Sequence, residues 1–368
     1  MLLMLLDHVR ETFFMHAQVA DPMSMDTTPP GLFFTRWLAH FCAPTFILLT
    51  GISAYLYGVR QASLGAFARR STSLFLLKRG LVLIYLELTL VNAGWSLSLV
   101  PSMLYLQVIW AIGLSMLALS ALLWLPKRLL LMLVACIIIG HNALDGIHAA
   151  SDSIWYIPWA ILHDRTLIDI GLLHAQTSYP ILPWIAVISL GYCLGSWFEY
   201  DVPRDVRENW LLSWGMTGIF ATLLLRTLNC YGDHPWQIQH GALETTMSLL
   251  NFTKYPPSLL FLGLTLSVAL ILLYFFESYP AERRINRWLS TYGSVPLFFY
   301  LIHLWTLKLL YILAVQGWGL NQGAYFGVSY VWELWFIAAV LALLFYPVVR
   351  LFSEFKTHHR GTCWLTYF

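Results

Sequence analysis

Charge is what this chain lacks. Only 11% of its 368 residues are Asp, Glu, Lys or Arg, against about 25% in a soluble globular protein. It has too little polar surface to cover itself with water. Cysteine is sparse as well: Cys42, Cys136, Cys193, Cys230 and Cys363 form no CxxC pair and sit mostly in or beside apolar runs. That excludes a disulfide scaffold and reads as small hydrophobes. No HxxH or HExxH spacing occurs, so no metal site is expected. There is also no Gly-rich phosphate loop, internal repeat, low-complexity tract or hydrophobic leader with a small-residue cleavage site. The net charge of +2 identifies no partner, and nucleic acid is not expected.

What is present is oil-soluble. Hydrophobic residues make up 59% of the chain, with 17 Trp, 19 Tyr and 22 Phe, an aromatic load suited to membrane interfaces. A spanning helix needs about 20 mostly apolar residues. Segments 1–19, 34–58, 74–95, 103–125, 128–145, 180–199, 209–228, 257–277, 292–315 and 330–352 meet that pattern. The fold class expected is an all-α integral membrane protein of about ten spans. Residues 1–352 form one transmembrane domain, and 353–368 a cytoplasmic tail. Placing both termini inside puts 15 of the 21 Lys and Arg in inner loops or the tail, as the positive-inside rule requires. Two longer outer loops then follow, 146–179 and 229–256, rich in aromatics mixed with Asp, Asn and His. Such a mixture suits sugar rings, whose C–H faces stack while their hydroxyls need hydrogen bonds; it also suits an interfacial aromatic belt. Loops of this length without an evident fold tend to be functional.

Ionisable groups inside hydrocarbon are costly and mark functional candidates. Asp7, His8, Arg10 and Glu11 share the first span, where Asp7 meets Arg10 and Glu11 at helical spacing. Arg36 and His40 open the second span four residues apart, and Pro44 is expected to kink the helix beside His40. Pro296 is expected to do the same in the ninth span, where Tyr300 and His303 share a face. Glu87 and Glu333 each need a partner. A packed, hydrogen-bonded histidine or a structural ion-pair network is the plainer alternative for every one of these.

Several stretches resemble a known family. They include Asp7-His8-Val9-Arg10, Arg36-Trp37, His40-Phe41-Cys42-Ala43-Pro44, Lys78-Arg79-Gly80, Trp110-Ala111-Ile112-Gly113 and Leu182-Pro183-Trp184. Asn251-Phe252-Thr253-Lys254-Tyr255-Pro256-Pro257-Ser258 and Val295-Pro296 through His303 complete the set. Together they are similar to the bacterial branch of the heparan-alpha-glucosaminide N-acetyltransferase family, polytopic transmembrane acyltransferases. The resemblance implies transfer of an acetyl or acyl group from cytosolic acetyl-CoA, as co-substrate, to an amino-sugar or glycan acceptor on the outer face, using an intramembrane histidine. Two departures stand out. Members usually carry an Asp-x-x-Arg-Gly motif ahead of Asp-His-x-Arg, which fits a start upstream of Met1. The lysosomal branch's implicated histidine falls where this chain has Thr28-Pro29-Pro30-Gly31, so its role would pass to His8 or His40.

On that footing, His8 is the expected base or transient acyl carrier, with Asp7 or Glu11 fixing its tautomer. His40 is the second choice, and Arg36 the stabiliser of developing negative charge. Arg69, Arg70, Lys78 and Arg79 are expected to grip the CoA phosphates. Arg10, Glu11, Asp233, Lys254, Tyr255 and His303 are the expected acceptor contacts. The expected setting is a bacterial inner membrane, among lipids, and a homodimer is left open. The rival reading is a transporter of a small sugar or anion without acyltransferase activity, though the two halves show no repeat symmetry.

Overall fold

The computed structural model describes residues 1–14, 23, 28–65, 67–96, 101–171, 173–279, 283–359, 362 and 365. Cys363 and the basic Arg360 lie outside the described residues; Cys42, Cys136, Cys193 and Cys230 are free thiols. The structure is mostly helical, 73%. It opens with α1 (Leu2–Phe13), α2 (Pro30–Ala39) and α3 (Cys42–Ser63). Next, α4 (Ala68–Leu86) runs through a π-helical turn at Glu87–Val91 into α5 (Asn92–Ser96). Strand β1 (Leu104–Leu106) precedes α6 (Val108–Leu122), α7 (Lys127–Gly140) and α8 (Tyr156–Leu162). Strands β2 (Leu167–Ile170) and β3 (Leu173–Thr177) lead to α9 (Leu182–Leu194) and α10 (Arg204–Leu228). The last third holds α11 (Ala242–Leu250), α12 (Leu259–Ser278), α13 (Arg284–Ser294), α14 (Pro296–Trp318) and α15 (Val331–His358).

Each of the ten apolar segments holds a helix. Among the described residues, six helical stretches are long and apolar enough to cross a bilayer unaided: Pro30–Ser63, Lys127–Leu144, Arg204–Leu228, Leu259–Ser278, Pro296–Trp318 and Val331–His358. Val108–Leu122 and Leu182–Phe198 are apolar but shorter. The protein is an integral membrane protein.

Close backbone contact organises the centre. A Cβ on Gly51 would lie 2.0 Å from the carbonyl oxygen of Ile188, and one on Gly191 would lie 2.1 Å from that of Leu48. Only glycine lets α3 and α9 touch so closely, and without water to drive association such contact is a main source of cohesion in lipid.

Proline divides the helices in two ways. α2 ends at Ala39, His40 and Phe41 form the joint, and Pro44 sits in the first turn of α3. Pro296, expected to kink one continuous helix over 292–315, instead starts α14 after a break at Val295 (φ −137°, ψ 58°). Proline suits that first position because its missing N–H would have no helical acceptor there.

The connecting segments have folds of their own. Strand β3 pairs parallel to β1, with Leu104 opposite Ala175, and antiparallel to β2. This small sheet, built from two strands of the stretch expected to be a long loop at 146–179 and one at the start of the expected span 103–125, is a departure from the all-α expectation. Asn92 fastens it to the helices: its side chain accepts from the Tyr105 N–H at 2.8 Å and donates to the Tyr105 carbonyl at 3.2 Å. Glu87 finds its partner here too, accepting from the Gln107 N–H at the start of α6 (3.2 Å). In the second connecting stretch, the buried Arg226 donates to the carbonyls of His234, Ser248, Leu249 and Asn251 at 2.7–2.9 Å. One guanidinium thereby holds the chain that delivers Lys254 and Tyr255. Glu333 caps α15, accepting from the N–H groups of Ser329 and Tyr330; its role is local.

Candidate active site

The ionisable face of α1 borders a cavity of about 1130 Å³. Asp7, His8, Arg10, Glu11, Arg36, His40, Lys254 and Tyr255 all contribute to its wall, joined by Trp95, Arg165, Tyr179 and Lys308. α1, α2 and His40 supply part of the lining, and the β1 approach, the end of β3, the 251–255 segment and α14 supply more.

Asp7 is the electrostatic hub. Its Oδ1 accepts from Arg10 Nε at 3.1 Å, and its Oδ2 pairs with Arg36 Nη1. Arg10 also reaches Glu11 at 3.2 Å. Arg36 donates onward to the Tyr255 hydroxyl (3.3 Å), which donates to Tyr179 (3.3 Å). Burial pushes the Tyr179 hydroxyl well above the usual phenol range, with Tyr255 beside it adding to the effect. Burial also opposes ionisation of Tyr255, but there the Lys254 and Arg36 cations win and hold it below its ordinary value. The cluster is a paired network of the kind whose disruption leaves a buried charge uncompensated.

His8 belongs to a different network. Its Nδ1 lies 2.6 Å from Nε2 of His303, and His303 Nδ1 lies 2.6 Å from the Phe299 carbonyl. The rings are 7° from parallel with centroids 4.9 Å apart, as for two imidazoles joined edge to edge. A carbonyl only accepts, so His303 Nδ1 carries its hydrogen and neutral His303 presents a lone pair at Nε2. His8 must then donate from Nδ1. Its Nε2 is left as a lone pair with no partner among the described residues, on a side chain that borders the cavity. The geometry corrects the expectation that Asp7 or Glu11 sets the His8 tautomer. Asp7 is bonded to two arginines and Glu11 to one; neither bonds to His8.

Three buried atoms in this part of the fold make no hydrogen bond of good geometry among the described residues: Trp95 Nε1, the Tyr300 hydroxyl, which interacts with Trp95, and Glu87 Oε2. Trp95 and Tyr300 meet the His8 ring edge-on at 5.3 and 5.8 Å. Trp95 also borders the cavity. His40 Nε2 is a fourth buried atom without a partner, on a ring packed against Phe261 at 5.3 Å.

Other expected site residues stand apart. Asp233 borders a second cavity of about 750 Å³, where its carboxylate accepts from the Thr253 N–H and hydroxyl, the Ser258 hydroxyl and the His234 N–H. It braces the 251–258 turn rather than offering a free acceptor, which corrects its assignment as an acceptor contact. His303 is fully buried behind His8 and does not border the cavity, so that assignment is corrected to a partner of His8. Arg69, Arg70, Lys78 and Arg79 are strung along α4 and border neither cavity. Arg69 and Lys78 are separated by roughly 13 Å of helix rise. The sequence did not point to Trp95, Tyr179 or Arg165 as site residues, because they lie in an interfacial stretch where aromatics and cations are common.

The family described as heparan-alpha-glucosaminide N-acetyltransferase, catalytic, matches residues 11–232 of this chain. The chain belongs to that family. It is therefore a member of a transmembrane acetyltransferase family, which agrees with the helical membrane architecture. A search of curated proteins gives no match. His8, Lys254, Tyr255 and His303 lie outside the matched residues yet complete the cavity and its supports, so the site draws on nearly the whole chain.

Proposed function

We propose that the protein transfers an acetyl group from acetyl-CoA to an amino-sugar or glycan acceptor, with His8 as general base. The observation that carries this reading is the His8–His303–Phe299 chain, which leaves His8 Nε2 without a partner among the described residues on a side chain that borders a large cavity. A neutral imidazole is suited to take the proton of an attacking amine or hydroxyl.

In the reaction, the acceptor nitrogen or oxygen forms a bond to the thioester carbonyl carbon, and its proton passes to His8 Nε2. The carbonyl electron pair moves to oxygen. When it returns, the carbon–sulfur bond breaks, and the departing CoA sulfur takes the proton from His8. The oxyanion needs a donor close to the base. Arg36 was expected to serve, but its guanidinium is bonded to Asp7 and Tyr255. Trp95, whose ring meets His8 edge-on and borders the cavity, is the better placed donor, its Nε1 turning from the Tyr300 hydroxyl to the oxyanion. His40 remains the alternative base. Arg10, Glu11, Lys254 and Tyr255 are the acceptor contacts, and Arg36 holds Asp7 and Tyr255 in place.

Arg69, Arg70, Lys78 and Arg79 are assigned to the CoA phosphates, supported by the exposure of Arg69, Arg70 and Lys78 on α4; Arg79 is half-buried over the Phe75 ring. The membrane is the bacterial inner one, with both termini inside. The test is acetyl transfer from radiolabelled acetyl-CoA by the purified protein. Incorporation into an amino sugar that is lost in His8→Ala supports the reading; incorporation unaffected by His8→Ala and by His40→Ala overturns it.

A further inference from the structure

The cavity carries more positive charge than its own residues neutralise. Arg10, Arg36, Arg165, Lys254 and Lys308 border it, against Asp7 and Glu11. Both carboxylates are already bonded to Arg10 and Arg36. Lys254 stands out because it is only 8% exposed, yet no described carboxylate lies within ion-pair distance of it. It meets ring faces instead, Tyr255 at 5.1 Å and Tyr179 at 5.9 Å. The guanidinium of Arg165 lies over the same Tyr255 ring at 5.0 Å. Ring faces attract a cation but do not neutralise it. A buried cation without an anion is costly, so Lys254, with the exposed Arg165 over the same aromatic ring, calls for an anion supplied from outside the chain.

We propose that Lys254 and Arg165 form an anion-binding site for a carboxylate, sulfate ester or phosphate ester carried by the acceptor. The site deepens the acetyltransferase reading and rests on it. Tyr255 links the two parts: its ring carries the cations, and its hydroxyl accepts from Arg36, which holds Asp7 beside His8. A ligand anchored by its anion at Lys254 therefore reaches the reacting centre across one tyrosine. Arg165 and Tyr255 also border the second cavity, so the anchored group has room on both sides.

The test compares glucosamine with glucosamine 6-phosphate, which differ by one phosphate ester, as acceptors for wild type, Lys254→Met, Lys254→Arg and Arg165→Ala. The phosphorylated acceptor is expected to be favoured in kcat/KM by about tenfold, the size of one charge-assisted hydrogen bond. Lys254→Met should abolish that preference and Lys254→Arg should keep it, which separates a lost charge from a lost fold. The phosphates of CoA are the other source of the same chemistry. In that case Lys254→Met raises KM for acetyl-CoA but not for S-acetyl-N-acetylcysteamine, which lacks phosphates, and the acceptors do not differ. If Lys254→Met changes neither the acceptor preference nor the CoA dependence, the site is overturned. Thermal protection reads the site without turnover. Should wild type transfer acetyl to neither acceptor, the amino-sugar reading falls. The anion site then stands only if glucosamine 6-phosphate or CoA raises the melting temperature of wild type and not of Lys254→Met.

Discussion

His8 and His303 show how one hydrogen bond decides what a residue can do. With His303 Nδ1 committed to the Phe299 carbonyl, the neutral pair has one tautomeric arrangement, and the nitrogen proposed to react is His8 Nε2. His8→Ala is expected to lower kcat by roughly 10²–10⁴, the usual contribution of a general base. His303→Phe keeps a ring behind His8 but removes the acceptor, so its kcat loss should be smaller than that of His8→Ala, with KM for acetyl-CoA unchanged in steady-state assays. An equal or larger loss in His303→Phe would make His303 the base. At the oxyanion, Trp95→Phe removes a single donor while keeping an aromatic ring, and should lower kcat by about 10²-fold or more. Full retention of kcat would move that role elsewhere. His8, Arg36 and His40 stand out in the sequence because polar groups in apolar runs are rare. The partnership with His303 does not, since the two are 295 residues apart and spacing along a chain says nothing of contacts between distant helices. Asp233 misled for the opposite reason: in an aqueous-looking stretch it could have faced a ligand, but four local donors take it up.

Among elements, the apolar helices are the most readable, because hydrocarbon leaves the backbone few ways to satisfy itself. Their ends are less so. Whether a proline kinks a helix or begins one depends on the turn before it: Pro44 lies just past a joint at His40–Phe41, and Pro296 begins α14. The three-stranded sheet is invisible to apolar periodicity since its strands span only three to five residues. Its register depends on Asn92 in a neighbouring helix. Arg226 is the element-scale counterpart, one side chain tying the irregular stretch at His234 to the end of α11. Arg226→Ala leaves four carbonyls without their donor and is expected to destabilise the protein by about 3 kcal/mol, seen as a lower melting temperature in detergent together with weaker acceptor binding through displaced Lys254. Gly51→Leu should be more damaging to assembly, because the α3–α9 contact has no space for a side chain; size-exclusion profiles of the detergent-solubilised variant read this directly.

For the molecule as a whole, composition alone is enough to place the chain in a membrane, while its orientation rests on the asymmetry of Lys and Arg. The proposed orientation, with both termini inside, puts the native Cys230 on the outer face and Ser63 on the inner one. An impermeant maleimide applied to intact cells should label Cys230 and should not label a Ser63→Cys variant made in a Cys230→Ser background. The reverse pattern would invert the topology.

The span between His8 and His303 has a consequence for synthesis. The first helix enters the bilayer early, but its imidazole must wait for nearly the entire polypeptide before its partner emerges from the ribosome. Asp7 does not share that delay: Arg10 is one turn away and Arg36 follows shortly after. The nascent N-terminal segment thus neutralises its own acid at once and carries an unmatched histidine through most of translation, to be claimed only when the fourteenth helix arrives.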